Sequence, residues 1–255
     1  MLFDTHAHYD DERFDEDRYE LLEKIHREGV SYILNAASDI DSAKMSIMLA
    51  EKYDFVYAAA GVHPHNAGKT DDSTMASLKS LISCNKVVAI GEIGLDYYYD
   101  FTPADTQKKW FAEQIRLAKR VKLPIIIHNR DSHEDVMRII KEENARDAGG
   151  VFHCYSGSVE MARDVLNNNF YISFGGPVTF KNSKKVLDVL RFVPEDRILV
   201  ETDCPYLTPE PFRGKRNHSG YLEYIVKKIA EIKGSTFEKM AELTMENGKR
   251  LFNIK

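Results

Sequence analysis

The feature that most constrains this chain is an alternation running from one end to the other: eight short β-rich runs separated by amphipathic stretches. The runs are MLFDTHA (1–7), SYILNA (31–36), FVYAAAG (55–61), KVVAIGE (86–92), LPIIIH (123–128), GVFHC (150–154), FYISFG (170–175) and RILVETD (197–203). They are rich in Val, Ile, Tyr and Phe, and several are apolar almost without a break. Strands of a parallel sheet covered on both faces read this way. The spacing between them predicts helices. Thr102-Pro103-Ala104-Asp105 reads as a helix start, with Trp110, Phe111, Ile115, Leu117, Ala118 and Val121 along one face. Ser132 opens a helix over Val136, Ile139 and Ile140, and Ser158 one over Met161, Ala162, Val165 and Leu166. Two more helices are expected near 219–232 and 236–247.

Eight strand–helix units in 255 residues favour closure into an α/β fold of the (β/α)₈ TIM-barrel kind, which takes about 250 residues, over an open doubly wound sheet. With no linker, repeat or low-complexity tract, residues 1–255 are expected to form one (β/α)₈-barrel domain. MLFDTHAHYD has no signal-peptide pattern, and no apolar run approaches the roughly 18–20 residues of a membrane span. A cytoplasmic chain is expected, with no membrane contact and no obligate protein partner. Cys84, Cys154 and Cys204, an odd set without framework spacing, fit a reducing compartment. The net charge of −5 argues against broad coating of DNA. It leaves room for a local grip, because DDERFDEDRYE gathers acids in one segment and bound divalent cations reverse the sign of a site.

Barrels of this kind carry their chemistry at the C-terminal ends of the strands. Those ends read Asp4-Thr5-His6-Ala7-His8, Gly91-Glu92-Ile93-Gly94, Ile127-His128-Asn129-Arg130, Phe152-His153-Cys154 and Glu201-Thr202-Asp203. Side chains two apart on a strand share a face, so His6 and His8 can meet one cation. Glu92 has two oxygens and can bridge two ions; ions about 3.5–4 Å apart clamp an in-line displacement. His6, His8, Glu92, His128, His153 and Asp203 thus gather on one rim and point to a divalent-metal centre. Four imidazoles suit Zn²⁺ or Mn²⁺ better than Mg²⁺.

The segments DTHAH, GVHPH, IGEIGLDYYYD, IIIHNRD, HCYSGS, YISFGGPVTFKN and ETDCPYLTPEPFRGKRN resemble, in order and over essentially the whole chain, the motif series of the TatD-family metal-dependent deoxyribonucleases. The resemblance implies a barrel of the amidohydrolase superfamily and hydrolysis of DNA phosphodiesters, with 3′→5′ exonuclease activity on single strands. It implies that His6, His8, Glu92 and Asp203 hold one ion, that His128 and His153 hold a second with Glu92 shared, and that Mg²⁺ supports activity. Many relatives with other substrates bridge their ions with a carboxylated lysine on strand four; here that position is Glu92. The reaction expected is attack by a water that the two ions activate, with Asp203 accepting its proton, so Asp203 and Glu92 are the catalytic pair. The ions are Zn²⁺, Mn²⁺ or Mg²⁺.

His63, at the end of the third strand in Gly61-Val62-His63-Pro64-His65, is expected to touch a substrate phosphate. Arg213, Lys215 and Arg216 form a basic cluster after strand eight, suited to a phosphate backbone, with Arg130 and Lys181 nearby. Tyr97, Tyr98, Tyr99 and Tyr155 offer either stacking faces for unpaired bases or core packing. Cys154 and Cys204 are read as packing residues, Cys154 against the helices because strand neighbours alternate. The competing function is an amide, ester or lactone hydrolase, or an aminoacyl-tRNA hydrolase, on the same barrel. A non-catalytic metal- or nucleic-acid-binding barrel stands third.

Overall fold

The computed structural model describes residues 1–255. Its strands are β1 (Leu2–Ala7), β2 (Val30–Ala36), β3 (Val56–Ala60), β4 (Val87–Asp96), β5 (Ile125–Arg130), β6 (Gly150–Phe152), β7 (Phe170–Phe174) and β8 (Ile198–Val200). They pair in sequence order, each parallel to the next. Few ladder bonds close the ring between β8 and β1. Asp203 N–H donates to the His6 carbonyl at 3.0 Å and His8 N–H to that of Cys204 at 2.8 Å. The Thr5 hydroxyl donates to the Val200 carbonyl at 2.9 Å, and the buried Asp4 carboxylate accepts from Thr202 N–H at 2.9 Å. This is the TIM barrel that the alternation predicts.

Helices α1 (Arg18–Arg27), α2 (Ile40–Lys52), α3 (Asp72–Leu81), α4 (Ala104–Val121), α5 (His133–Glu142), α6 (Val159–Asn167), α7 (Lys184–Phe192), α8 (Leu222–Lys233) and α9 (Phe237–Phe252) surround the strands. None is long and apolar enough to cross a membrane. The buried apolar side chains form three clusters, one of which joins Ile33 and Val56 to Leu22 and Leu49 of the first two helices. Ile125, Ile127 and Ile172 pack with helical residues such as Phe111 and Ile139, while Phe3, Leu34, Ile126 and Leu199 pack with Met245 and Phe252 of α9. Both faces of the sheet are dry, which is why the strands read as unbroken apolar runs.

Two expected helix starts differ. The Thr102 hydroxyl donates to the His65 carbonyl at 3.0 Å, and that of Ser132 to the Leu95 carbonyl at 2.8 Å, so neither caps its helix. Each instead ties a loop to the rim. Ser158 does cap, accepting from Met161 N–H at 3.2 Å. Val121, at the last turn of α4, is exposed.

Both strands that carry paired site residues are irregular at that point. On β1 the register advances three residues, Asp4 to Ala7, against two on β2; on β4 it advances three, Ile90 to Ile93, against two on β5. Such bulges re-aim side chains. The second sits at Gly91–Glu92 and lets Glu92 N–H reach the Ala37 carbonyl at 2.9 Å. Beyond it β4 runs on to Asp96, with Gly94 at φ +146°, where a Cβ would lie 2.0 Å from the His128 carbonyl oxygen. Only glycine lets β4 and β5 approach this closely.

Candidate metal centre

Glu92 stands at the middle of the rim. Its Oε2 lies 3.2 Å from His6 Nε2 and 3.8 Å from His8 Nε2. Its Oε1 lies 2.7 Å from His128 Nδ1, 2.8 Å from His153 Nε2 and 3.6 Å from His63 Nε2. Asp203 Oδ1 joins the first group, 3.2 Å from His8 Nε2 and 3.8 Å from His6 Nε2. The His6 and His153 rings stack at 4.0 Å between centroids, so the two groups share a wall. All six expected residues are therefore brought together, three of them (His153, Asp203 and His8) from just beyond the strand ends.

Bonds outside the centre determine which nitrogen faces in. His8 Nδ1 contacts the Ala36 carbonyl at 2.8 Å and His128 Nε2 lies 2.9 Å from Asp96 Oδ2; His153 Nδ1 is buried 3.4 Å from Glu201 Oε1 and forms no hydrogen bond. Carbonyl and carboxylate oxygens only accept, so on His8 and His128 the outer nitrogen carries the proton and the inner one keeps its lone pair. Those lone pairs then face the oxygens of Glu92 and Asp203, an arrangement that repels until a proton or a cation enters. The separations suit a cation. His6 Nε2 and His8 Nε2 are 3.1 Å apart, His128 Nδ1 and His153 Nε2 3.3 Å. Two ligands bound to one ion at 2.0–2.1 Å stand about 3.0–3.4 Å apart. The imidazole–carboxylate donor set fits a divalent ion such as Zn²⁺ or Mn²⁺.

The electrostatics agree. Burial lowers the affinity of His8 for a proton, but Asp203 and Glu92 outweigh it and push its pKa up to about 9. Burial likewise works against charge on Glu92, yet the imidazoles around it, His153 foremost, hold it well below the usual carboxylate range. Burial and the neighbouring His153 lower the pKa of His6, so the centre does not protonate all its imidazoles alike.

The sequence matches the family model described as "TatD related DNase" over residues 3–253. The chain belongs to the TatD family of metal-dependent hydrolases. It is 52% identical over 254 residues, covering 100% of both chains, to "Uncharacterized metal-dependent hydrolase YabD" of Bacillus subtilis. To "3'-5' ssDNA/RNA exonuclease TatD" of Cronobacter sakazakii it is 32% identical, covering 98% of this chain and 97% of that one. Among solved structures, the TatD homologue YJJV of Escherichia coli superposes with a TM-score of 0.93 at 31% identity, over 100% of this chain and 98% of that one. A lactonase-derived organophosphate hydrolase, at 14% identity and a TM-score of 0.69, shares the fold.

The remaining expected residues of this TatD-family site are placed unevenly. His63 reaches the centre, while Arg130 stands exposed at the end of β5 with its guanidinium over the Tyr98 ring. The basic cluster does not act as one unit. Arg216 is committed to Asp17, Nη1 to Oδ1 at 2.9 Å, and Arg213 lies over Phe180 and donates to the Thr208 carbonyl at 3.1 Å. Lys215 is exposed. Tyr155 is buried and Tyr97 packs on the core, its hydroxyl donating to Asp135 at 2.7 Å; Tyr98 and Tyr99 are exposed. Cys154 departs from the alternation argument because β6 ends at Phe152. It sits at φ +39°, its N–H donates to Glu201 Oε1 at 2.6 Å, and burial, with the charges of Glu201, Asp203 and Glu92, pushes its thiol pKa up.

Three buried carboxylates were not singled out from the sequence: Asp4, which bonds Thr202, and Asp96 and Glu201, which stand beside histidines of the centre. Burial would raise the pKa of Asp96, but His128 and His65 outweigh it and hold the carboxyl ionised. Glu201 precedes Asp203 by two residues, the same spacing that flags His6 and His8.

Proposed function

We propose that the chain is a divalent-metal-dependent nuclease that hydrolyses phosphodiester bonds of single-stranded DNA, removing nucleotides from the 3′ end. The observation that carries this reading is the division of Glu92, whose two oxygens serve separate nitrogen groups. One ion would be held by His6, His8, Asp203 and Glu92 Oε2, the second by His128, His153 and Glu92 Oε1. Two such ions supply Lewis acidity to a phosphoryl oxygen and lower the pKa of an attacking water. The family description and the exonuclease name of the Cronobacter relative support the nucleic-acid substrate. The free thiols of Cys84, Cys154 and Cys204 support a cytoplasmic setting.

The residues divide the remaining work. Asp203 engages the histidines through Oδ1, which leaves Oδ2 to accept the proton of the attacking water. His63 lies close enough to Glu92 and His128 to be counted a ligand, but its tautomer assigns it elsewhere. Its Nδ1 accepts His65 N–H at 3.1 Å, so Nε2 carries the proton into the site, and burial keeps the ring neutral. A neutral donor aimed inward stabilises charge on a phosphoryl oxygen. Arg130, Arg213 and Lys215 have no carboxylate partner and are available to backbone phosphates, whereas Arg216 braces its loop on Asp17.

Metal-reconstituted protein incubated with end-labelled single-stranded DNA, RNA and an aminoacyl-tRNA tests the proposal. A DNA ladder shortening from the 3′ end is expected. Release of the amino acid with every phosphodiester intact would transfer the site to ester hydrolysis.

A further inference from the structure

The connection from β4 to α4, beside the centre, leaves three large rings in solvent. Tyr98, Tyr99 and Phe101 are 58%, 40% and 65% exposed, although their neighbour Tyr97 packs on the core. The three are ordered all the same. Asp96 Oδ1 accepts the backbone N–H of Tyr98 at 3.0 Å and of Tyr99 at 3.2 Å, while its Oδ2 faces His128 Nε2 at 2.9 Å and His65 Nε2 at 3.0 Å. One carboxylate thus fixes both the aromatic loop and an imidazole of the centre. Tyr99 and Phe101 stack at 5.2 Å with 15° between planes, and His65 packs edgewise on both. The Arg130 guanidinium lies 3.8 Å above the Tyr98 ring and 4.9 Å from that of Tyr99.

We infer that Tyr98, Tyr99 and Phe101, with Arg130, form a platform on which an unpaired nucleobase beside the scissile phosphate stacks. The inference rests on the nuclease reading above. Exposed, preordered rings cost little entropy on binding, and every base presents a π face, so such a platform holds a strand without reading its sequence. Arg130 adds a cation over the rings, which complements a base and its phosphate together. A base within a duplex is already stacked and paired, so the platform selects single strands and frayed ends. Its tether through Asp96 keeps the stacked base at a set distance from His128.

The test pairs a loss in the protein with a loss in the substrate. Single-stranded oligonucleotides carrying one abasic residue at stepped distances from the 3′ end are digested by metal-loaded wild type and by the Tyr98→Ala/Tyr99→Ala/Phe101→Ala variant. In wild type, kcat/KM is expected to fall on the order of tenfold when the missing base is the stacked one. In the triple variant that position no longer matters, and intact and abasic strands are cut at equal rates. Tyr99→Phe should keep the discrimination; Tyr99→Leu, which preserves bulk without a π face, should weaken it. A triple variant that still slows tenfold at the same abasic position overturns the platform, because a merely structural role lowers both rates and preserves their ratio. So does a wild type indifferent to abasic residues everywhere; either result leaves the nuclease reading standing. A wild type that cuts no oligonucleotide overturns both.

Discussion

Replacing Asp96 with asparagine keeps the shape of the side chain but leaves one acceptor oxygen where the protein uses two. Four N–H groups converge on this carboxylate, from Tyr98, Tyr99, His65 and His128. If the amide oxygen stays with the tyrosines, its NH₂ meets the His128 Nε2 proton at a contact of 2.9 Å. His128 can relieve that clash only by moving the proton to Nδ1, the atom 2.7 Å from Glu92 Oε1. Its lone pair then points out of the centre. If the amide flips, the two tyrosine N–H groups lose their acceptor and the aromatic loop is released. Loss of such an outer partner costs about 10–100-fold in metal affinity, or ~1.4–2.7 kcal/mol. The loss should fall on the position formed by His128 and His153 and spare the one formed by His6, His8 and Asp203. Calorimetric titration of apo-protein with Zn²⁺ or Mn²⁺ resolves the two sites, and ¹⁵N imidazole shifts report the His128 tautomer. Asp96→Asn protein that binds both equivalents as wild type does, with the proton still on Nε2, refutes the reasoning.

Chelation should abolish hydrolysis and lower the melting temperature, and Mn²⁺, Zn²⁺ or Mg²⁺ should restore both; full activity in protein shown by elemental analysis to be metal-free ends the metal mechanism. Asp203→Asn should lose part of its metal, keep its oligonucleotide affinity and slow single-turnover cleavage by roughly 10²-fold or more, whereas a rate within a few-fold of wild type removes Asp203 from the chemistry. Arg213→Ala and Lys215→Ala should each flatten the salt dependence of single-strand binding by about 0.7 in log–log slope. Arg216→Ala, which loses the half-exposed Asp17 pair, a bond to the Arg13 carbonyl and a contact over the Phe14 ring, should cost about 1–2 kcal/mol in urea unfolding and leave that slope alone. Burial, with Arg216 and Lys24 nearby and Asp17 and Glu28 opposing, lowers the pKa of His218 to about 4, and its Nδ1 accepts Gly220 N–H at 3.1 Å. A folded pKa below the unfolded value of about 6.5 means that protonation favours the unfolded chain. Stability should therefore hold above pH 6.5 and fall towards pH 4, by at most about 1.4 kcal/mol per pH unit from this group, and His218→Gln should flatten that limb in urea titrations across the window.

The barrel was legible because eight apolar runs, each long enough for a doubly buried strand, at this chain length favour closure over an open doubly wound sheet. The residues of the rim were legible for a related reason, since strand ends are where hydrophobic runs break into histidines and acids. What lay beyond the sequence depended on departures from regular geometry. The bulge at Gly91–Glu92 resets the alternation and extends β4 four residues past Glu92, so Asp96 reads as loop when it is strand. Cys154 fails the alternation rule because β6 is only three residues long. Arg216 looked free because its partner, Asp17, is 199 residues away in sequence. Glu201 could have been found, since it and Asp203 repeat the i, i+2 spacing of His6 and His8 within RILVETD.

The two HxH motifs show how far spacing alone carries. His6 and His8 flank the last residue of β1, and both turn Nε2 towards Glu92 and Asp203. His63 and His65 have the same spacing, but Pro64 starts a 3-10 turn there, and His63 caps it by accepting His65 N–H on Nδ1. That single backbone bond occupies the lone pair of His63 Nδ1 and so leaves Nε2 to carry the proton of the neutral ring. His65 is drawn aside to Asp96, where it shares an oxygen with His128. The same spacing therefore gives different outcomes: His6 and His8 both turn Nε2 to the carboxylates of the centre, whereas only His63 faces the centre from the second pair and His65 bonds to Asp96. The backbone conformation between the histidines decides which, and here it is the proline that sets it.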